Sequence, residues 1–239
     1  MTDDQISPAE LRAVLDQVAQ RYAHGSRFTR RYTASKLNKD PVHRVVLERA
    51  VADGFGHVLD LGCGRGQLAL ALLEAGGARS ILGMDWSATA LAEARRASGG
   101  LAFRTEQRDF SEPDPLPPAD TVLVVDVLYQ LPTPVQHNLL RRAAAAARRR
   151  ILVRTLDPDL GARSRFALGM ERLARLGWPN AGAMVNARPV PELVAVLVRA
   201  GFEVAVEPCW EGTPFANVLL DARRVSAGAR RPPPASATP

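Results

Sequence analysis

The apolar positions of this chain recur in two rhythms. From Pro8 to Tyr22, the residues Leu11, Val14, Leu15, Val18 and Tyr22 are spaced by three and four, which predicts an amphipathic helix with Ser7 as N-cap and Pro8 at its first position. A second helical segment, Phe28 to Asn38, places Phe28, Tyr32 and Lys36 at four-residue intervals on one face. Asp40-Pro41 breaks it, and a third helix runs from Val42 to Ala52. Short apolar runs then alternate with helical ones. Val58–Leu61, Ser80–Asp85, Ala102–Gln107, Thr121–Asp126 and Ile151–Leu156 read as strands, and Gln67–Ala75, Ser87–Ala97 and Thr133–Ala147 as the helices between them. Such alternation predicts a mainly parallel sheet with helices on both faces, and Thr121 to Asp126, the most apolar strand of the chain, suits its centre.

Past the fifth strand, helical segments Ser164–Leu176 and Val190–Ala200 flank the irregular stretch Gly177–Pro189. Gly201–Val206 and Phe215–Ala222 form a closing antiparallel pair, which departs from the parallel close of a dinucleotide domain. Thr133 is the expected cap of the helix to Ala147, with Pro134 opening it. Arg141, Arg142 and Arg148–Arg150 would stand on its solvated C-terminal end, where cations suit the helix dipole. Three segments result: an N-terminal helical lid over 1–45, a catalytic domain over 46–224, and a disordered tail over 225–239, which is poor in apolar groups.

The first strand ends in Asp60 and turns through Leu61-Gly62-Cys63-Gly64-Arg65-Gly66. Glycine at 62, 64 and 66 lets a ligand lie against the backbone, and the following helix points free N–H groups into the gap. A carboxylate beside the loop would repel a pyrophosphate and suits a ligand carrying positive charge. The stretch Val58-Leu59-Asp60-Leu61-Gly62-Cys63-Gly64-Arg65-Gly66 resembles the first motif of the class I S-adenosylmethionine-dependent methyltransferases, of the small-molecule type. The resemblance implies a Rossmann-like α/β fold with seven strands, the last antiparallel. It also implies a sulfonium cofactor, S-adenosyl-L-methionine, leaving as S-adenosyl-L-homocysteine. Its ammonium would lie near Asp60, and its methionyl part would pack over Gly62, Cys63 and Gly64.

Downstream residues extend the match. Asp85 falls at the next strand end, one βα unit on, where a carboxylate can accept both ribose hydroxyls, and Trp86 offers a flat face for adenine. Ser87 is an alternative cap for the next helix. Asp109 matches the family's adenine-binding position, with the Phe110 N–H available to a ring nitrogen. Asp126, opening Asp126-Val127-Leu128-Tyr129-Gln130-Leu131-Pro132, matches the fourth motif, the floor beneath the transferred methyl. Val127-Leu128 replaces the two prolines usual in methylases of base amines, so base N-methylation is not expected. The stripe Phe28, Tyr32, Lys36 either packs and ends in a solvated lysine, or forms a lid through which Tyr32 and Lys36 reach the methionyl carboxylate. Tyr22, Phe28, Tyr129 and Arg154 are expected to face the methyl acceptor, Arg154 suiting a carboxylate or a thioester-bound group. Tyr129 and His137 are the candidates for removing a proton, with His24 and Asp157 behind them.

Composition changes little in this picture. At 239 residues the chain can bury one sizeable core, and 46% apolar with 23% charged residues is ordinary for a soluble protein. The net charge of +6 falls to about +2 without Arg223, Arg224, Arg230 and Arg231, and lysine occurs only at 36 and 39. That is a compositional bias towards arginine more than a groove for phosphate, so nucleic acid is not an expected partner. Cys63 and Cys209 lack the spacing of a metal site, and no metal is expected. The opening MTDDQISPAE is acidic and polar and no run could cross a bilayer, so a cytoplasmic monomer or homodimer is expected. The expected reaction is methyl transfer to oxygen or carbon of a small aromatic or acyl metabolite. Two alternatives stand beside it: an RNA methyltransferase or RNA-binding regulator using the arginine-rich tail, and an enzyme using the same cofactor for non-methylating chemistry such as cyclisation.

Overall fold

Alternate side chains of the first strand, β1 (His57–Leu61), enter two different cores: Val58 joins one and Leu59 and Leu61 the other. The same division runs across the sheet, since Leu123 sides with Val58 while Val122 and Val124 side with Leu59. The computed structural model of the protein describes residues 6–175 and 185–225. Its seven-stranded sheet has the order β3-β2-β1-β4-β5-β7-β6. The members are β1, β2 (Ser80–Asp85), β3 (Phe103–Gln107), β4 (Ala119–Val125), β5 (Ala147–Leu156), β6 (Phe202–Pro208) and β7 (Asn217–Arg224). β1 to β5 pair in parallel, and β7 runs antiparallel between β5 and β6, so the last strand is the inverted one, as the sequence predicts.

One face is covered by α4 (Gln67–Glu74), α5 (Ala88–Ala97) and the N-terminal helices α1 (Pro8–Arg21), α2 (Arg27–Lys39) and α3 (Pro41–Asp53). The other face is covered by α6 (Thr133–Ala146) and α8 (Val190–Arg199), while α7 (Ala162–Arg175) precedes the segment 176–184, which lies outside the described residues, as do 226–239 of the expected tail. Leu11, Leu15, Val18 and Leu37 share one apolar cluster with Val58, Leu70 and Ile81, so the N-terminal helices are a layer of the same core. α3 runs across residue 45, where the sequence suggests a boundary.

Two local readings are corrected. α6 is capped by Pro132 without a side-chain hydrogen bond. Thr133 is its first residue, with its hydroxyl taking the Asn186 amide at 3.0 Å. The helix also stops at Ala146, and Arg148–Arg150 open β5 instead of ending the helix. Arg150 is 4% exposed, held by Asp221 and by Asp53 at 2.6 Å, with its guanidinium 5.1 Å from the Phe55 ring centre. Its partners lie far along the chain, which no local rhythm reveals.

In this order the sheet turns from β1 towards β2 on one side and β4 on the other, and open α/β sheets bind ligands outside the carboxyl ends of the strands at such a switch point. The candidate site lies there.

Candidate functional site

The turn after β1 is set by backbone. Gly62 and Cys63 both donate to the Met84 carbonyl, at 2.7 and 3.0 Å, so the loop is tied to the end of β2. Gly62, Gly64 and Gly66 have φ of 79°, 55° and 79°. Their roles differ. A Cβ on Gly62 would lie 2.2 Å from a methyl of Val127, so this glycine admits the β4 loop and not a ligand. A Cβ on Gly64 would meet nothing within 4 Å, which leaves the face of the loop open to a bound molecule. Gly66 caps α4. We therefore expect Gly62→Ala to lower stability by at least about 1–2 kcal/mol, the cost of a left-handed L-residue, with the Val127 overlap added. Gly64→Ala, at a φ of 55°, should lose only the backbone cost, without the overlap, and should weaken ligand affinity besides. Chemical denaturation and calorimetry separate the two.

Asp60 and Asp85 close the site below and beside this loop. Asp60 is 3% exposed, and its carboxyl is pushed up to about 7 by burial first and then by the charge of Asp85. Asp85 accepts from the Gly64 N–H at 2.9 Å and from the Ser87 N–H at 2.8 Å, which fixes its plane at the tip of β2. Ser87 caps α5 itself through the Ala90 N–H, so Asp85 is not spent on capping that helix. Two buried acids, one with its charge disfavoured, beside an open glycine turn form a set of acceptors for a cationic ligand bearing hydroxyls. Trp86 presents an exposed ring next to them, with its carbonyl held by Gln107. The residues present thus fit a sulfonium nucleoside.

Other expected contacts are placed differently. Asp109 is exposed and uses Oδ1 to close its own turn through the Ser111 N–H, while the Phe110 ring is buried among α6 and sheet residues, leaving only its backbone for a ligand. Cys63 is buried in the loop with its thiol pushed far up by burial, then by Asp60 and Asp85, so it acts as a small apolar filler. Tyr22 does not face an acceptor: it is 3% exposed and donates to the Arg65 carbonyl at 2.6 Å, bracing the loop from beneath. Phe28 and Tyr32 stack at 5.8 Å, with the Arg65 guanidinium 5.4 and 5.1 Å from their centres. Arg65 also pairs with Glu93 on α5 at 2.6 Å, and Thr29 donates to the same carboxylate, so α2, α5 and the loop tip are clasped together. Arg65 and Glu93 gave no signal in the sequence, because their link spans two elements. An open groove of about 520 Å³ on α2 is lined by Arg27, Phe28, Arg31, Tyr32 and Ser35.

Four charges meet at the tips of β4 and β5. Arg154, 2% exposed, pairs with Asp40 at 2.9 Å and with Asp126 at 2.8 Å. Lys36 joins through Asp40 at 3.1 Å and Asp126 at 3.9 Å. Burial opposes the charge of Asp40, but Arg154 and Lys36 outweigh it and hold the carboxyl well below the usual range. Burial likewise opposes Lys36, and Asp126 with Asp40 overcomes it, raising its pKa. His43, beside them, is pushed down to about 4 by burial. Arg154 is therefore committed to protein carboxylates, against the expectation that it faces an acceptor, and Lys36 is engaged by two acids of the chain. Asp40, read from the sequence only as a helix breaker, both caps α3 through the Val42 N–H and links the junction of α2 and α3 to β5.

Of the proton-removing candidates, Tyr129 sits in the short turn Leu128–Gln130, 5% exposed, packed with Leu156, Ala167 and Ala216. His137 is not brought to the strand tips. Its Nε2 faces Glu192 on α8 at 2.8 Å. Among the described residues no group of three or more His, Cys, Asp or Glu is placed to hold a metal, and no helix is long and apolar enough to cross a membrane.

Comparison with known proteins agrees with this fold. A family model described as methyltransferase domain matches residues 58–150. Trans-aconitate 2-methyltransferase of Methylobacterium nodulans is 44% identical over 87 residues, which are 36% of this chain and 33% of that protein, so the chain matches only a third of that relative's length. Magnesium protoporphyrin IX methyltransferase of Synechocystis PCC 6803, solved with bound SAH, shares the fold with a TM-score of 0.63 at 23% identity, over 89% of this chain and 95% of that one. An O-methyltransferase family protein of Burkholderia thailandensis gives 0.64 at 21%, over 87% and 62%. Residues 58–150 thus match a methyltransferase domain, and the chain has the fold of the class I S-adenosylmethionine-dependent methyltransferases.

Proposed function

We propose that this protein is an S-adenosylmethionine-dependent methyltransferase acting on oxygen or carbon of a small metabolite. The observation that carries the reading is the buried pair Asp60 and Asp85 beside the open face of Gly64. Asp60 would take the ammonium, Asp85 the ribose hydroxyls, Trp86 the adenine ring, and Gly64 the backbone approach. When bound, the cofactor supplies a methyl group already activated by its positive sulfur, so the chain's own task is alignment and the exclusion of water. The clasp of Phe28, Tyr32, Arg65 and Glu93 would hold α2 against the loop tip and shield that side. Tyr129, buried in the β4 turn, would act as a wall of the acceptor pocket more than as a base. The names of a trans-aconitate and a magnesium protoporphyrin IX enzyme among its likenesses favour a small organic acceptor over RNA.

Calorimetry with S-adenosylmethionine and S-adenosylhomocysteine tests the cofactor, with one-to-one binding expected and NAD silent. Methyl-labelled cofactor is then incubated with a panel of phenols, aliphatic alcohols, β-dicarbonyl compounds and polycarboxylic acids including trans-aconitate. Transfer of label to a small compound is the expected result. Absence of binding by both nucleosides rejects the reading, and binding with the cofactor's methyl retained while an added substrate rearranges would make the chemistry something other than methylation.

A further inference from the structure

Arg27 and Arg31 stand one helical turn apart on α2, both exposed, and neither meets a carboxylate among the described residues. Nothing local accounts for them. α2 contains no acid, and Arg27 opens its first turn, where a cation opposes the helix dipole. The cations around them are already engaged: Arg65 by Glu93 at 2.6 Å, Lys36 by Asp40 at 3.1 Å, and Arg154 by Asp40 and Asp126. Arg30 turns back to the Ala23 carbonyl at 3.4 Å. Arg27 and Arg31 instead line the open groove of about 520 Å³, together with Phe28, Tyr32 and Ser35. Two guanidiniums without an acid, beside two stacked rings, suit a flat molecule that carries an anion.

The groove adjoins the glycine turn. Arg65 stands between Gly64 and Gly66, and its guanidinium lies 5.4 and 5.1 Å from the centres of the Phe28 and Tyr32 rings. Further along the helix, Lys36 comes within 3.9 Å of Asp126 at the tip of β4. At about 1.5 Å per residue, Arg31 and Arg27 lie roughly 8 and 14 Å back along the helix axis from Lys36. An anion held by them is therefore remote from the strand tips, and Lys36, shared by two acids, gives it no nearer anchor. Resting on the methyltransferase reading, we propose that Arg27 and Arg31 bind a carboxylate of the methyl acceptor, remote from the atom that receives the methyl, with the acceptor's flat apolar body against Phe28 and Tyr32. The carboxylate is a handle that places the acceptor, and the methyl goes to another group of the same molecule.

The test saturates the protein with S-adenosylhomocysteine and titrates it calorimetrically with hydroxybenzoate, hydroxycinnamate and hydroxynaphthoate, each beside its own carboxamide, which keeps the shape and loses the charge. At least one acid should bind about tenfold or more tighter than its amide, the effect of one charge-assisted hydrogen bond, and the advantage should shrink as salt is raised. With Arg27→Gln and Arg31→Gln combined, that preference should fall below about threefold, while the amide and S-adenosylhomocysteine keep their affinities within about threefold. Arg30→Gln removes an equal charge from the same helix outside the groove and should keep the preference, which separates a site from a general field of charge. All three arginines are exposed, so these variants should fold as the wild type does. With methyl-labelled cofactor, label carried by a preferred acid should resist mild alkali, as an ether or a carbon-bound methyl does. No acid preferred over its amide, a preference surviving in the double variant, an equal loss in Arg30→Gln, or label released by alkali as methanol from an ester each overturns the proposal. Adsorption of the wild type to phosphatidylglycerol vesicles with no acid preferred would give the arginines to a lipid surface and overturn it too. Failure of the wild type to bind S-adenosylhomocysteine at all instead overturns the cofactor reading, and the proposal with it.

Discussion

Replacing Asp60 by asparagine should weaken cofactor binding by about 10- to 150-fold, the worth of a hydrogen bond to a charged group, and at the same time stabilise the ligand-free protein above neutral pH. Both effects come from one buried carboxyl. In the folded chain burial, helped by Asp85, raises its pKa to about 7, whereas in the unfolded chain it stays near 4. Between those values the folded state keeps a proton that the unfolded state has lost. The contribution of this group to stability is therefore complete below about pH 4 and drains away as pH rises to 7, by up to about 4 kcal/mol. Asp60→Asn removes the slope, so the variant should overtake wild type in melting temperature at pH 8 and match it near pH 4. A cationic ligand needs the ionised form, so wild-type affinity should climb as pH rises through 7, with proton release on binding at pH 6. Calorimetry in two buffers of different ionisation enthalpy counts that proton. Were the variant less stable than wild type at pH 8, ionised Asp60 would have a partner in the free protein and its role as a waiting anion would fail.

That acid could be found in the sequence because its signal is local. Val58 to Gly66 carries the strand, the turn and the carboxylate within nine residues, and Asp85 repeats the strand-end acid one unit later. The five parallel strands and the antiparallel close were legible in the alternation of rhythms and in the closing pair at 201–222, while the order of the strands was not. What local rhythm misreads is any residue whose environment comes from a distant element. Arg150 looks like the solvated end of a helix until Asp221 and Asp53 are brought beside it. Gly62 looks like a ligand glycine until Val127 is seen to fill the space above it. Tyr22 looks like part of a lid facing the acceptor, yet its hydroxyl ends on a carbonyl of the glycine loop. Asp40 had half a signal, the four-residue spacing to Lys36, but Arg154 lies 114 positions away and cannot be paired with it by spacing.

Arg154→Met should be the most destabilising single change at the site, by about 3–5 kcal/mol, as expected when one partner leaves a buried ion cluster. Two carboxylates would then share one lysine: Asp126 at 3.9 Å and Asp40 at 3.1 Å from Lys36. Their mutual repulsion and burial would no longer be offset. The loss should depend on pH with a definite sign. In wild type Asp40 is held below the ordinary carboxylate range, so its stabilising contribution is present above about pH 4 and is lost only as pH falls through that lowered value. Without Arg154 the lowering shrinks, and the acid-unfolding midpoint should move up. Adding Asp40→Asn to Arg154→Met should recover part of the loss, because it removes one stranded charge, and a double-mutant cycle should show a coupling of about 2 kcal/mol or more. Asp40 stands at the junction of α2 and α3, so the loosened cluster also frees these two helices. Cleavage by trypsin after Arg31 and Lys36 should accelerate in Arg154→Met well before the sheet unfolds, and equal rates of loss for α2 and the sheet would show that the cluster secures the whole core and not α2 alone.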